Sequence, residues 1–252
     1  MEKFFDGNTV REMQATLHRL ESKSSPSRPA KEVYDCSHCR DLGWELTDQG
    51  AKPCRHIEAV RRARRLAALP EEYRGFSLET IAPLPEKHPN YHTKQAEAIA
   101  QMQANPYLSY LLCGTYGTGK TLYGNLLYRR ALEEERPAIS LTLSELLHQY
   151  RQWATGGAEP SLSAELVRRH RARLFVLIDE FGKTAGRVTE FASGSLHTLV
   201  QACYEHHTQL VITANKNKNE LQRFWSQADP EYGPAIMRKV LQKQGAFLIE
   251  MF

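Results

Sequence analysis

Apolar positions in the second part of the chain fall into short continuous runs separated by stretches of helical periodicity. A helical pattern at 93–104 precedes an apolar run at 107–113; a helix at 120–135, the strand-like AISLT at 138–142, and helices at 144–153 and 161–172 follow. LFVLID at 174–179 reads as another buried strand. A helix at 193–206, QLVITAN at 209–215, two short helices and AFLIEM at 246–251 continue the alternation. Apolar runs this short, with no polar residue at every second position, are strands covered on both faces. Their alternation with helices predicts an α/β fold, a parallel sheet between helical layers. The first part reads differently. Residues 8–23 carry Val10, Met13, Leu17 and Leu20 on one stripe of a predicted helix, and SSPSRP at 24–29 breaks it as a linker. A cysteine-rich stretch occupies 33–56. A basic helix is predicted from about Ile57 to Leu69, stopped by Pro70, and the Pro- and turn-rich 82–92 is where composition places a domain boundary.

Composition narrows the class. With 252 residues, 41% hydrophobic and 25% charged, the chain is long enough for one full domain and a smaller appendage, and disordered or fibrous classes are excluded. The longest apolar runs fall far short of the ~20 residues that cross a bilayer. MEKFFDGNTVREMQ lacks the apolar core and cleavage site of a secretory leader, so a cytoplasmic protein with no membrane partner is expected. The net charge of +4 is unevenly spread, with Arg61, Arg62, Arg64 and Arg65 in one cluster and Arg168, Arg169, Arg171 and Arg173 in another. Such clusters suit phosphate or nucleic-acid partners as well as they suit a solvated helix face. Tyr150, Arg151 and Trp153, ahead of the second cluster, could stack on single-stranded DNA or pack within the domain.

Gly114, Thr115, Tyr116, Gly117, Thr118, Gly119, Lys120 and Thr121 spell G-x-x-x-x-G-K-S/T between a predicted strand and a predicted helix. Glycines there let backbone N–H groups turn inward around phosphate oxygens, and the helix N-terminus adds positive potential. Lys120 is placed for the β- and γ-phosphates and the Thr121 hydroxyl for Mg²⁺, so the cofactor expected is ATP with Mg²⁺. Asp179 and Glu180 end the strand LFVLID, where open α/β sheets place their ligands; Asp179 would hold Mg²⁺ and Glu180 would polarise the attacking water. Asn215 ends another core strand. If that strand lies beside the phosphate-loop strand, Asn215 could orient the water.

Cys36-x-x-Cys39 and Cys54-x-His56 flank DLGWELTDQG, read as strand–turn–strand. Two ligand pairs on two tight turns can close a Cys₃His site around Zn²⁺. So short a module buries too little core to fold alone, and metal would supply the missing stability. The odd total of five cysteines also points away from a disulfide framework.

GTYGTGKT, LFVLIDEFG and VITANKN, in this order and spacing, resemble the AAA+ ATPases of the bacterial helicase-loader and IstB-like branch, over about residues 70–252. The cysteine module followed by LAALPEEYRGFSLET resembles the N-terminal zinc region of Gram-positive-type loaders, where it serves partner binding. The resemblance implies an ATP-dependent homo-oligomer, Asn215 sensing the γ-phosphate, and an arginine finger reaching into the neighbouring subunit. The family places that arginine on a helix before the last strand, where PAIMRKV offers Arg238, with Lys239 one residue off and Arg223 a poorer candidate. AFLIEMF leaves little room behind it for a helical lid bearing a second sensor arginine. The expected organisation is helix and linker (1–32), zinc module and basic helix (33–69) and AAA+ ATPase domain (70–252). The implied function is loading a replicative DnaB-type helicase onto single-stranded DNA. The alternative is an IstB-like transposition helper that binds duplex DNA and a transposase.

Overall fold

The computed structural model describes residues 36–40, 42–48, 50–83, 89–184, 188–242 and 246–251. The helix expected at 8–23, the linker at 24–29 and the whole 1–32 segment lie outside the described residues. The chain divides into two compact units, Met1–Arg65 and Leu66–Phe252.

In the first unit, β1 (Trp44–Thr47) and β2 (Gly50–Pro53) form an antiparallel hairpin, with Trp44 opposite Pro53 and Thr47 opposite Gly50. Helix α1 (Arg55–Leu66) follows. It begins two residues before the expected start at Ile57, because Cys54 O already accepts from Ile57 N at 2.9 Å. It also ends before Leu69, whose N–H closes a tighter turn onto Leu66 O ahead of Pro70.

The second unit opens with a single 3₁₀ turn at Glu71–Tyr73. It continues through α2 (Pro89–Ala104), β3 (Ser109–Gly114), α3 (Lys120–Glu133), β4 (Ala138–Thr142), α4 (Leu143–Ala154), α5 (Ala164–His170) and β5 (Phe175–Asp179). Helix α6 (Glu190–Glu205), β6 (Gln209–Ala214), α7 (Lys218–Ala228), α8 (Gly233–Gln242) and β7 (Ala246–Met251) complete it. Five parallel strands lie in the order β4-β5-β6-β3-β7. Successive residues of each inner strand feed opposite faces. Leu111, Cys113, Val176, Ile178, Leu210 and Ile212 pack with α4 to α8, whereas Tyr110, Leu112, Phe175, Leu177 and Val211 pack with α2 and α3. Both faces are therefore apolar, which is why these strands read as continuous runs.

Several helix starts differ from the sequence expectation because capping side chains fix them. Thr189 accepts from Ala192 N and starts α6 at Glu190, three residues before 193. Ser163 accepts from Leu166 N, so α5 begins at Ala164 and not at 161; Arg171 at φ 50° then ends it. Thr142 and Glu145 form a reciprocal capping box that turns the chain from β4 straight into α4. Ahead of α2, Leu69 and Leu78 are buried in the same layer as α3, and Arg129 of α3 donates to the carbonyls of Arg74 and Phe76. The stretch 69–78 is thereby fixed against the helix that leaves the glycine-rich loop.

Candidate functional site

The loop from Gly114 to Gly119 joins β3 to α3 and curls over the helix N-terminus. Gly117 and Gly119 sit at φ 80° and 89°, and a Cβ on Gly119 would also lie 3.1 Å from the Tyr123 ring beneath it. Glycine is needed there on both counts. Lys120 is buried inside the loop, its Nζ donating to Thr115 O at 2.6 Å and to Thr118 Oγ1 at 3.2 Å. Burial holds its ammonium below the ordinary lysine value, with the Asp179 carboxylate opposing that shift. A cation this confined, inside a glycine-rich loop at a helix N-terminus, is suited to an oligophosphate. Gln95 of α2, itself buried, donates to Thr118 O at 3.2 Å and braces the loop from behind.

Strand β6 lies between the loop strand β3 and the acidic strand β5, as the reading of Asn215 required. Thr121 Oγ1 donates to Asp179 Oδ1 at 3.2 Å, so a hydroxyl and a carboxylate from opposite sides of β6 meet. Two hard oxygen donors in contact suit Mg²⁺. Thr213 of β6 also donates its hydroxyl to Asp179 Oδ1, while its Oγ1 accepts from Glu180 N at 3.2 Å and its carbonyl from Phe181 N at 2.8 Å. Glu180 adopts φ 55°, turning the chain sharply after β5. Its Oε1 lies 3.1 Å from Lys183 Nζ, and that contact raises the Lys183 pKa. Glu180 and Asn215 line one cleft of about 180 Å³ with Tyr116, Gly182, Lys183 and Lys216. Sequence reading gave no role to Thr213 or Gln95. A buried threonine inside the apolar LVITAN was the available signal for the first.

The first unit carries a separate cluster. The ligand atoms of Cys36, Cys39, Cys54 and His56 all lie within 4.8 Å of one another. Cys36 Sγ is 3.7 Å from Cys54 Sγ, and Cys39 Sγ is 3.3 Å from His56 Nδ1. Tetrahedral zinc with Zn–S near 2.3 Å places sulfurs ~3.8 Å apart, so the donor set fits that ion. The first pair lies on the turn at 36–40. The second lies at the β2–α1 junction, with His56 in the first turn of α1 and not on a second free turn. The backbone N–H of Cys39 is the main influence holding the Cys36 thiol below its usual pKa. A hydrogen bond to Glu45, with burial, pushes Cys54 up to about 12. Gly43 N donates to Cys39 Sγ at 3.4 Å, the kind of N–H···S contact that steadies a bound thiolate.

Residues 110–225 match the family described as ATPase family associated with various cellular activities (AAA). The second unit is an AAA-type ATPase domain. Solved structures of similar fold include the DnaC helicase loader (14% identity, TM-score 0.52, covering 71% of this chain and 99% of the other) and DnaI (14%, 0.52, 75% and 97%). AMPPCP-bound DnaA from Aquifex aeolicus is a third (14%, 0.51, 72% and 50%). At these identities the likeness is one of fold. No curated protein matches in sequence.

Elsewhere in the AAA domain, Arg238 is exposed on α8, whereas Lys239 places its Nζ 4.6 Å from the centre of the Tyr204 ring of the same chain. Tyr150 is buried and donates to Leu162 O at 3.3 Å, so it belongs to the core. Trp153 is exposed and meets Phe191 edge-on at 5.8 Å. Cys113 and Cys203 are buried core residues, and burial pushes the Cys113 thiol up to about 12. Among the described residues no helix is long and apolar enough to cross a membrane.

Proposed function

We propose that this protein is a cytoplasmic, ATP-dependent loader that places a replicative DnaB-type helicase on single-stranded DNA. The observation that carries the reading is the pairing of a zinc-compatible Cys₃His cluster in one unit with an ATPase fold in another. A loader needs two separable surfaces, one gripping the helicase ring and one engaging DNA, and an IstB-like helper would not be expected to need the first. We assign the helix and linker to 1–32, the gripping module and basic helix to 33–69, and the ATPase domain to 70–252. Cys36, Cys39, Cys54 and His56 would hold Zn²⁺, which supplies stability that so small a core lacks.

In the ATPase domain, the backbone from Gly114 to Thr121 cradles the phosphates, and Lys120 neutralises the β- and γ-oxygens. Thr121 and Asp179 would hold Mg²⁺, which supplies charge neutralisation along the phosphate chain. Glu180 orients the attacking water and takes its proton as the water oxygen bonds to the γ-phosphorus and ADP departs. Asn215, across the same cleft, fixes the γ-phosphate and the water. Arg238 extends from one chain to complete the site of its neighbour, so turnover rises with assembly.

The test uses the full chain. Helicase of the same organism is captured without nucleotide, and filter binding compares single-stranded with duplex DNA with and without ATP. The proposal expects helicase capture that Cys36→Ser abolishes, ATP-dependent preference for single strands, ATP bound but not hydrolysed by Glu180→Gln, and lost turnover with retained ATP for Arg238→Ala. No capture, together with ATP-dependent filaments on duplex DNA, would overturn it in favour of a transposition helper.

A further inference from the structure

Helix α1 carries five arginines and one glutamate, a surplus of +4 that equals the formal charge of the whole chain. All other residues taken together are balanced, so the net positive charge of the protein resides in these twelve residues. Arg55, Arg61, Arg62 and Arg64 are exposed, and Arg65 is half-buried. At 100° per residue all five fall within one half of the helix circumference together with Ile57 and Glu58, and Ala59, Val60 and Ala63 fall in the other.

Glu58 is the single acidic position on this face, so five arginines against it leave the surplus of +4 there, and like charges three and four residues apart repel. Here Arg61 faces Arg64 and Arg65 at those spacings, and Arg62 faces Arg65. A net surplus of one sign on one exposed face is complementary to a polyanion. Arg55 to Arg64 spans about 14 Å at 1.5 Å per residue, the axial rise of about four phosphates of one strand along a B-form duplex. Arginine forks pair with phosphate oxygens bidentately, which lysines would not do. Trp44, 38% exposed, stands opposite Pro53 in the hairpin, two residues before Arg55, so an exposed aromatic adjoins the start of the arginine row.

We infer that the arginine face of α1 binds the phosphodiester backbone of nucleic acid without sequence preference and without nucleotide. This is additional to the ATP-dependent DNA contact proposed for the ATPase domain, and it stands whichever partner the zinc module grips.

The experiment measures anisotropy of fluorescein-labelled oligothymidine, and in a second arm a labelled duplex, with the full-length protein in the absence of ATP over a series of salt concentrations. Arg61→Gln with Arg64→Gln should lower the slope of log K against log salt by about 1.4 for the single strand and about 1.8 for the duplex. With both contacts at full strength, single-strand Kd at about 0.1 M salt rises roughly 25-fold. Arg61→Lys with Arg64→Lys should keep the slope. Basal ATPase rate and zinc content check the fold; if the double variant loses either, Arg61→Gln alone replaces it, with an expected slope change of about 0.7. Unchanged slopes in both arms, or an affinity for nucleic acid that exists only with ATP, would overturn the inference.

Discussion

Replacing Thr213 by valine keeps the shape of the side chain and removes one hydroxyl from the centre of the ATPase site. That hydroxyl is 2% exposed as part of its residue, donates to Asp179 Oδ1 and accepts from Glu180 N. The substitution leaves the Asp179 carboxylate one donor short and the Glu180 amide without this acceptor. A hydrogen bond to a charged group contributes about 1.5–3 kcal/mol, and an orphaned buried amide costs about 1–3 kcal/mol. If the Asp179 contact is needed equally in the transition state, kcat falls by roughly 10- to 100-fold at 1.4 kcal/mol per tenfold. Thr213 touches Asp179 and not the reacting atoms, so it is a positioning residue and KM for ATP should change little. Thr213→Ser separates the contributions, because it keeps the hydroxyl and deletes only the methyl. It should cost about 1 kcal/mol of stability while restoring most of kcat. Steady-state ATPase assays and thermal melts of the three proteins decide the matter. Wild-type kcat in Thr213→Val, or an equal loss in Thr213→Ser, would refute the reasoning.

Asp229 accepts from the backbone N–H of Glu231 and Tyr232 at 2.9 Å and from Ser193; burial opposes ionisation, but these bonds outweigh it and hold its pKa below the usual value. A depressed carboxylate stabilises the fold above its unfolded pKa of about 3.9 and loses that contribution as pH falls through the folded value. Urea midpoints should therefore drop as pH falls below about 4, by less in Asp229→Asn, and parallel curves would contradict this. Protein purified under reducing conditions without chelator should carry about one zinc per chain, released by strong chelators without loss of nucleotide binding; a metal-free preparation that is fully folded would reject the site. Gly124→Ala places a Cβ 2.9 Å from Leu177 Cδ1 and 3.4 Å from Thr213 Cγ2. Overpacking by about 1–3 kcal/mol should outweigh a helix-propensity gain of about 1 kcal/mol, so Tm falls; a raised Tm would show that Leu177 yields freely.

What was readable from the sequence depended on whether the signal lay along the chain or across it. The core strands were visible because Val176, Leu177 and Ile178 are apolar on successive residues, which only a sheet covered on both sides requires. The glycine-rich loop was visible because its parts are contiguous. Helix starts were displaced where one capping side chain decided them, as Thr189 and Ser163 did, since periodicity registers the apolar stripe and not the first turn. The contacts of Thr213 and Gln95 were hidden for a different reason. Each depends on which elements become neighbours in space: β6 beside β5 for the first, α2 behind the loop for the second. Tyr150 and Trp153 looked alike as aromatics three residues apart. The structure separates them because α4 ends at Ala154, leaving Trp153 on the last turn, while Tyr150 lies one turn deeper in the core.

The backbone of Glu180 has a consequence for how this domain can tolerate change. A glutamate at φ 55° occupies a conformation that glycine adopts freely and other residues adopt at a cost of about 1–2 kcal/mol. That cost is borne by two amides, those of Glu180 and Phe181, both anchored on Thr213 in the neighbouring strand. Selection for stability alone would favour glycine at position 180, relieving the strain and deleting the carboxylate in one step. Activity and robustness therefore pull this position in opposite directions. Variants recovered for heat resistance should be enriched in Glu180→Gly unless turnover is selected at the same time.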